Sequence, residues 1–220
     1  MKADDPVTHN QSEYQSGLEW AFKLAKTKFV SLSIEEQCKK AGASIKQVNN
    51  SKNIYLDYLG STYVITLPEI IMIPVDVNNK PLQPKEQLLI IHYLINADGS
   101  LPVKDKITYK EIQNGATYFP TFYKRSIKPL LNNFGANPDK ILTSAAQLGG
   151  IKTDYGDLSV KIDALPRVPI IFVFWQGDDE LSPEGNILFN SNIKGYLSVE
   201  DITVLCEIIT WKLVKLSNNF

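Results

Sequence analysis

Arginine, histidine and cysteine are all scarce in this chain, each occurring twice in 220 residues. The histidines are His9, near the start, and His92, and neither has a second Cys or His at ligand spacing, which excludes the zinc-binding patterns. So few imidazoles also leave a hydroxyl nucleophile short of a base, and no G-x-S-x-G elbow is present, so a hydrolase triad is not expected. Cys38 and Cys206 stand far apart, and the acidic, polar start lacks the apolar segment of a secretory signal. The chain is therefore read as cytoplasmic, with both thiols reduced.

Long apolar runs are missing too. Leu88 to Ile95, interrupted by His92, and Ile170 to Trp175 fall short of the ~20 residues that span a bilayer, so they are expected in the core and no membrane segment is expected. Excess positive charge is absent: 23 Lys and Arg stand against 24 Asp and Glu, and a net charge of -1 offers nothing to hold a nucleic-acid backbone. No glycine-rich phosphate loop occurs, since Gly149-Gly150 follow an expected helix and precede an expected strand.

What is present is ordinary globular composition, 44% hydrophobic and 21% charged, enough to fold one domain over residues 11–220 behind a disordered tail at 1–10. Leu18, Ala21, Phe22, Ala25 and Phe29 recur at helical spacing, predicting a helix over 11–30. Ser33 with Glu36 opens a second helix, which Gly42 ends. Ile54, Leu56 and Tyr58, then Tyr63, Ile65 and Leu67, alternate on either side of Leu59-Gly60-Ser61 and predict a hairpin, with a third strand over 70–75. Pro84 starts an apolar, central helix ending near Asp98-Gly99, and a short strand follows over 104–109.

Downstream, a helix over 121–133 is expected to bend or break at Pro129, and another covers 139–148. Leu158, Val160 and Ile162 alternate with Ser159, Lys161 and Asp163 in a half-buried strand, 170–175 forms a strand covered on both faces, and 187–189 forms another. Ser198 and Asp201 box the start of a last helix that runs to Leu216. Without regular β-then-α alternation, the expected fold is α+β, an antiparallel or mixed β-sheet with helices packed against it.

Lysine fills nearly every basic position, so Arg125 and Arg167 stand out as places where a planar fork for a carboxylate or phosphate is wanted. A salt bridge that fixes a loop is the competing reading of each. Tyr118 to Tyr123 with Arg125 has the make-up of a ligand wall, against core packing for Phe119 and Phe122. His92 is either a core histidine or a single axial ligand for a haem or corrinoid. Asp178, Asp179 and Glu180 follow the buried strand ending at Trp175, where a cation site or an acid and base could form, against a solvated turn.

These residues carry a resemblance. Ala164-Leu165-Pro166-Arg167-Val168-Pro169, Phe174-Trp175-Gln176-Gly177-Asp178-Asp179-Glu180, Ile187-Leu188-Phe189 and Tyr196-Leu197-Ser198-Val199-Glu200-Asp201 are similar to a prokaryotic family catalogued as domain of unknown function three-seven-eight-six. Leu59-Gly60 with Tyr63, Leu88 to Leu94, and Phe122-Tyr123-Lys124-Arg125 through Pro129-Leu130 to Phe134-Gly135 extend the likeness over nearly the whole chain. The resemblance implies no established activity. Members occur mainly in anaerobes, and some carry an iron–sulfur segment like that of corrinoid iron–sulfur proteins, which implies an accessory role near corrinoid or other tetrapyrrole metabolism; this chain lacks that cysteine motif.

The leading reading is thus a non-catalytic small-molecule-binding or accessory domain whose pocket is lined by Arg125, Arg167, His92, Tyr118, Tyr123 and Trp175, with both guanidinium groups and the acidic turn facing one concavity. Two alternatives stand beside it. One is an enzyme that uses Asp178, Asp179 or Glu180, and the other is a protein-interaction module whose exposed tyrosines meet a protein partner.

Overall fold

The structure is a computed structural model that describes residues 6–49, 51–178 and 180–218. Its fold is α+β, with two antiparallel sheets and helices packed between and around them. A long first helix, α1 (Pro6–Val30), is followed by α2 (Ile34–Ala41), which ends where Gly42 takes φ 72°. Residues 6–10, expected in the tail, are the opening turns of α1.

The first sheet is β1 (Ser44–Val48), β2 (Ser51–Tyr58), β3 (Ser61–Leu67) and β4 (Ile71–Pro74), joined in that order. Its central hairpin turns on two residues, Leu59 at φ 49° and Gly60 at φ 74°, the left-handed pair whose twist matches that of flanking strands. Leu59 tolerates this because it is buried and its N–H donates to Ala164 O at 3.2 Å, tying the hairpin tip to the second sheet.

Helix α3 (Pro84–Asn96) starts at Pro84 as expected and buries residues on nearly all sides. Beyond β5 (Lys106–Thr108), one helical stretch passes through α4 (Gly115–Phe122), a wider π-helical segment at Tyr123–Ile127, and α5 (Lys128–Phe134). The expected bend at Pro129 takes the form of that π segment. Proline has no N–H to offer the carbonyl four residues back, and here Lys128 N–H reaches Tyr123 O, one residue further than in an α-helix. The stretch also starts earlier than expected, at Gly115, where any Cβ would collide with Tyr109 O.

After α6 (Lys140–Ala146) come β6 (Ile151–Thr153), β7 (Leu158–Leu165), β8 (Val168–Trp175), β9 (Glu184–Asn190) and α7 (Val199–Ser217). The second sheet has the order β5-β9-β8-β7-β6. The short strands β1 and β6 have no strong sequence signal, and pairing with β2 and β7 creates them. Helix α3 meets α1, α2 and α7, while α7 also meets α4, α5 and α6, so these two helices form the centre of the core. Ile170, Phe172 and Phe174 of β8 face that core, where Phe134 lies edge-on to Phe174 and Phe122 is tilted against Phe189. Ile171 and Val173 are also buried, but on the opposite face of the sheet, outside the core cluster.

Among the described residues no helix is long and apolar enough to cross a membrane. Cys38 and Cys206 are free and buried, and burial pushes the Cys38 thiol up to about 11 and the Cys206 thiol well above its usual value. A thiol that stays protonated is a poor nucleophile. Neither cysteine should be alkylated by iodoacetamide in the folded protein at mildly alkaline pH, and both should be after guanidinium unfolding. Mass spectrometry of the folded sample showing a modified Cys206 would contradict the packing described.

Candidate functional site

The two arginines occupy different environments. Arg125 lies on the π segment and its Nη2 pairs with Glu207 Oε2 of α7 at 2.7 Å, with Lys85 Nζ at 3.7 Å from the same oxygen. One further turn along α7, Lys212 Nζ reaches Glu86 Oε1 at 3.0 Å. Glu86 is almost fully buried in the first turn of α3, where it also accepts from Tyr58 OH at 3.2 Å and from Gln83 N–H at 2.8 Å. This end of α3 is a structural ion-pair network that clamps α3, α7 and the hairpin together.

Arg167 sits in the tight turn between β7 and β8, beside the other end of α3. Its N–H donates to Tyr93 OH at 3.2 Å, and that phenol donates in turn to Ala41 O at 2.6 Å. Tyr93 lies eight residues beyond Lys85, roughly 12 Å along the helix, so the two arginines are held near opposite ends of α3. The π segment holds Arg125 against α7, and the β7–β8 turn holds Arg167 against the C-terminal ends of α2 and α3.

What surrounds Arg167 is less ordinary. Tyr93 stacks on Tyr196 with ring centroids 5.4 Å apart, and burial raises both phenols above their usual pKa, so each keeps its proton. Tyr196 OH donates to Ser100 O. Asn192 Nδ2 reaches Ser100 O and Arg167 O, both at 3.4 Å. Arg167 Nε packs against Gly42, where a Cβ would come within 3.2 Å of it.

Within this knot three buried polar atoms lack hydrogen-bond partners: Arg167 Nε, Asn192 Oδ1 and Ser100 Oγ. Asn192 is nine-tenths buried. Among the described residues no carboxylate forms an ion pair with Arg167, in contrast to Arg125. Buried polar groups are nearly always satisfied, by protein or by ordered water, so three unpartnered atoms in one place set this knot apart.

The other expected site residues are dispersed. His92 Nδ1 lies 2.8 Å from Asp201 Oδ1, and Asp201 also takes the Ser198 hydroxyl at 2.6 Å in the capping box of α7. Burial would raise the Asp201 carboxyl, but the His92 and Ser198 hydrogen bonds outweigh it and hold the group below its ordinary value. Tyr118 and Tyr123 lie on the surface of the helical stretch with exposed rings, while Phe122 is core and stacks on Tyr109 at 3.9 Å. Phe119 packs against the core, as the core-packing reading had it.

Trp175 is exposed at the end of β8. Asp178 Oδ1 accepts from the N–H groups of Glu180 and Leu181 at 2.9 and 2.8 Å, and these bonds hold its carboxyl below the usual range. Its turn is closed by its own backbone. Asp179 lies outside the described residues, and Glu180 is exposed. Among the described residues no group of three or more His, Cys, Asp or Glu side chains could hold a metal ion.

Arg167 stands out in the sequence by its rarity, whereas its neighbours Tyr93, Tyr196, Ser100 and Asn192 do not. Tyr93 and Tyr196 lie inside the strings that carry the family resemblance, whereas nothing in the sequence marks Ser100 or Asn192.

A family model described as domain of unknown function (DUF3786) matches residues 33–211. No curated protein and no solved structure matches the chain.

Proposed function

Given that the chain belongs to the DUF3786 family, whose description carries no activity, we propose that it is a non-catalytic binding domain for a small oxyanion-bearing molecule, a carboxylate or phosphate, held by Arg167. The observation that carries this reading is a partly buried guanidinium with no ion pair among the described residues and a buried, unpartnered Nε. A guanidinium offers a flat pair of N–H donors to two oxygens of one anion. The unpartnered Asn192 Oδ1 calls for a donor, so a ligand with a hydroxyl beside its oxyanion fits better than bare phosphate. Cytoplasmic residence belongs to the same reading and is supported by the two free, buried thiols.

Calorimetric titration with lactate, acetate, inorganic phosphate, cobalamin and haem tests it. Lactate should bind more tightly than acetate, and Arg167→Lys should weaken binding roughly tenfold, because an ammonium cannot make the paired contact. Arg167→Gln should abolish it, with circular dichroism showing the fold retained. Wild-type protein that takes up none of the five, or an R167Q variant that binds as well as wild type, would refute the proposal.

The tetrapyrrole version of this function rests on one further observation. Asp201 fixes the Nδ1 side of His92, the arrangement that orients an imidazole ligand for a metal at Nε2. A shift in the visible spectrum of haem or cobalamin that is lost in His92→Gln would support it.

A further inference from the structure

The face of the second sheet turned away from the core carries a groove of ≈ 290 Å³, which is near the lower end of the range for small-molecule sites. Strand pairing assembles it: Lys106 of β5 opposes Asn190 of β9, Lys161 of β7 opposes Ile171 of β8, and Asp163 opposes Pro169. All these side chains therefore project from one face. Pro102, Pro166 and Pro169 supply rigid walls, and the buried Ile171 supplies an apolar floor.

The charges in the groove are unbalanced. Lys161 pairs with Asp163 at 3.2 Å. Lys106 instead donates to the carbonyls of Lys104 and Val103, at 3.1 and 3.4 Å. Burial lowers the Lys106 ammonium from its ordinary pKa, Asp105 partly opposes this, and the charge on Lys161 lowers it further. Two ammonium groups therefore share the groove against Asp163, the one carboxylate in its lining. An anion placed between them relieves their repulsion, and its body meets proline and isoleucine.

From this geometry we infer that the groove is a second binding site, independent of Arg167, for a small carboxylate or phosphate monoester with an apolar body. Lys106 and Lys161 bind the anionic head, the Asn190 amide is a further polar contact, and the proline walls enclose the apolar part. Asp163 tempers the affinity.

Amide chemical-shift titration of the full chain with benzoate, phenyl phosphate and acetate tests the inference. Benzoate or phenyl phosphate should give saturable shifts at Lys106, Ile171 and Asn190, with acetate weaker because it lacks a body to fill the groove. Which of the first two saturates earlier tells carboxylate from phosphate. The double variant K106Q/K161Q should lose roughly tenfold or more in affinity, Asp163→Asn should bind severalfold more tightly, and Arg167→Gln should titrate like wild type. Three outcomes would overturn it: no saturable shift with any of the three, shifts that persist in K106Q/K161Q, or shifts that vanish in R167Q.

Discussion

Replacing Glu86 with alanine is expected to lower the free energy of unfolding by about 3–5 kcal/mol, the range for breaking one side of a buried charged pair. The carboxylate is nearly fully buried and accepts from three groups, Lys212 Nζ, Tyr58 OH and Gln83 N–H. Its loss strands the Tyr58 hydroxyl in the core and leaves the first turn of α3 without its capping box. The Tyr58 phenol is raised far above its usual pKa by burial first and by Glu86 second, so it cannot take over the lost charge.

Glu86→Gln, which keeps an acceptor for Tyr58 and Gln83, should cost about half as much. Lys212→Met should cost about 3 kcal/mol, because it leaves the buried Glu86 carboxylate without its cation. Urea denaturation of the three variants decides the point. An E86A protein within about 1 kcal/mol of wild type would mean that this network does not hold α3 to α7.

Gly60→Ala should be nearly as damaging, by a backbone route. Gly60 has φ 74°, and a Cβ there would lie 2.8 Å from both Gly149 N and Leu148 C. The left-handed conformation alone costs a non-glycine residue about 1–2 kcal/mol, and pushing the hairpin tip off the loop after α6 adds about 1–3 kcal/mol by the measure of overpacked sites. Gly17→Ala is the control. It lies on the exposed side of α1 with nothing within 4 Å of its would-be Cβ, and it should stabilise by about 0.5–1 kcal/mol. If G60A melts at the wild-type temperature, the two sheets do not depend on that contact.

Much of the local structure was legible in the residues. The proline start at Pro84, the capping box at Ser198, the glycine stop at Gly42 and the alternation through β2, β3 and β7 are nearest-neighbour signals, and the elements form where those signals stand. The expected box of Ser33 with Glu36 does not form, Glu36 pairing with Lys40 instead. The helical stretch over 115–134 was read less well, because Gly115 and Pro120 look like breakers. Gly115 is there for its close approach to Tyr109 O, a contact between turns that no spacing reveals. For the site, the rarity of arginine marks Arg125 and Arg167 alike, because Glu207, the partner that pairs with Arg125, lies 82 residues further along the chain.

By itself, then, the amino-acid order determined where the chain turns, caps and alternates, because those choices depend on atoms within a few residues of one another. Which arginine is paired, which tyrosines stack, and which lysines meet across a groove were decided only when β5, β7 and β9 entered one sheet and α3 was laid between its neighbours. Those contacts join segments up to about a hundred residues apart, as when Tyr196 reaches Ser100, and the energy of such a contact exists only once the whole core has brought its partners together.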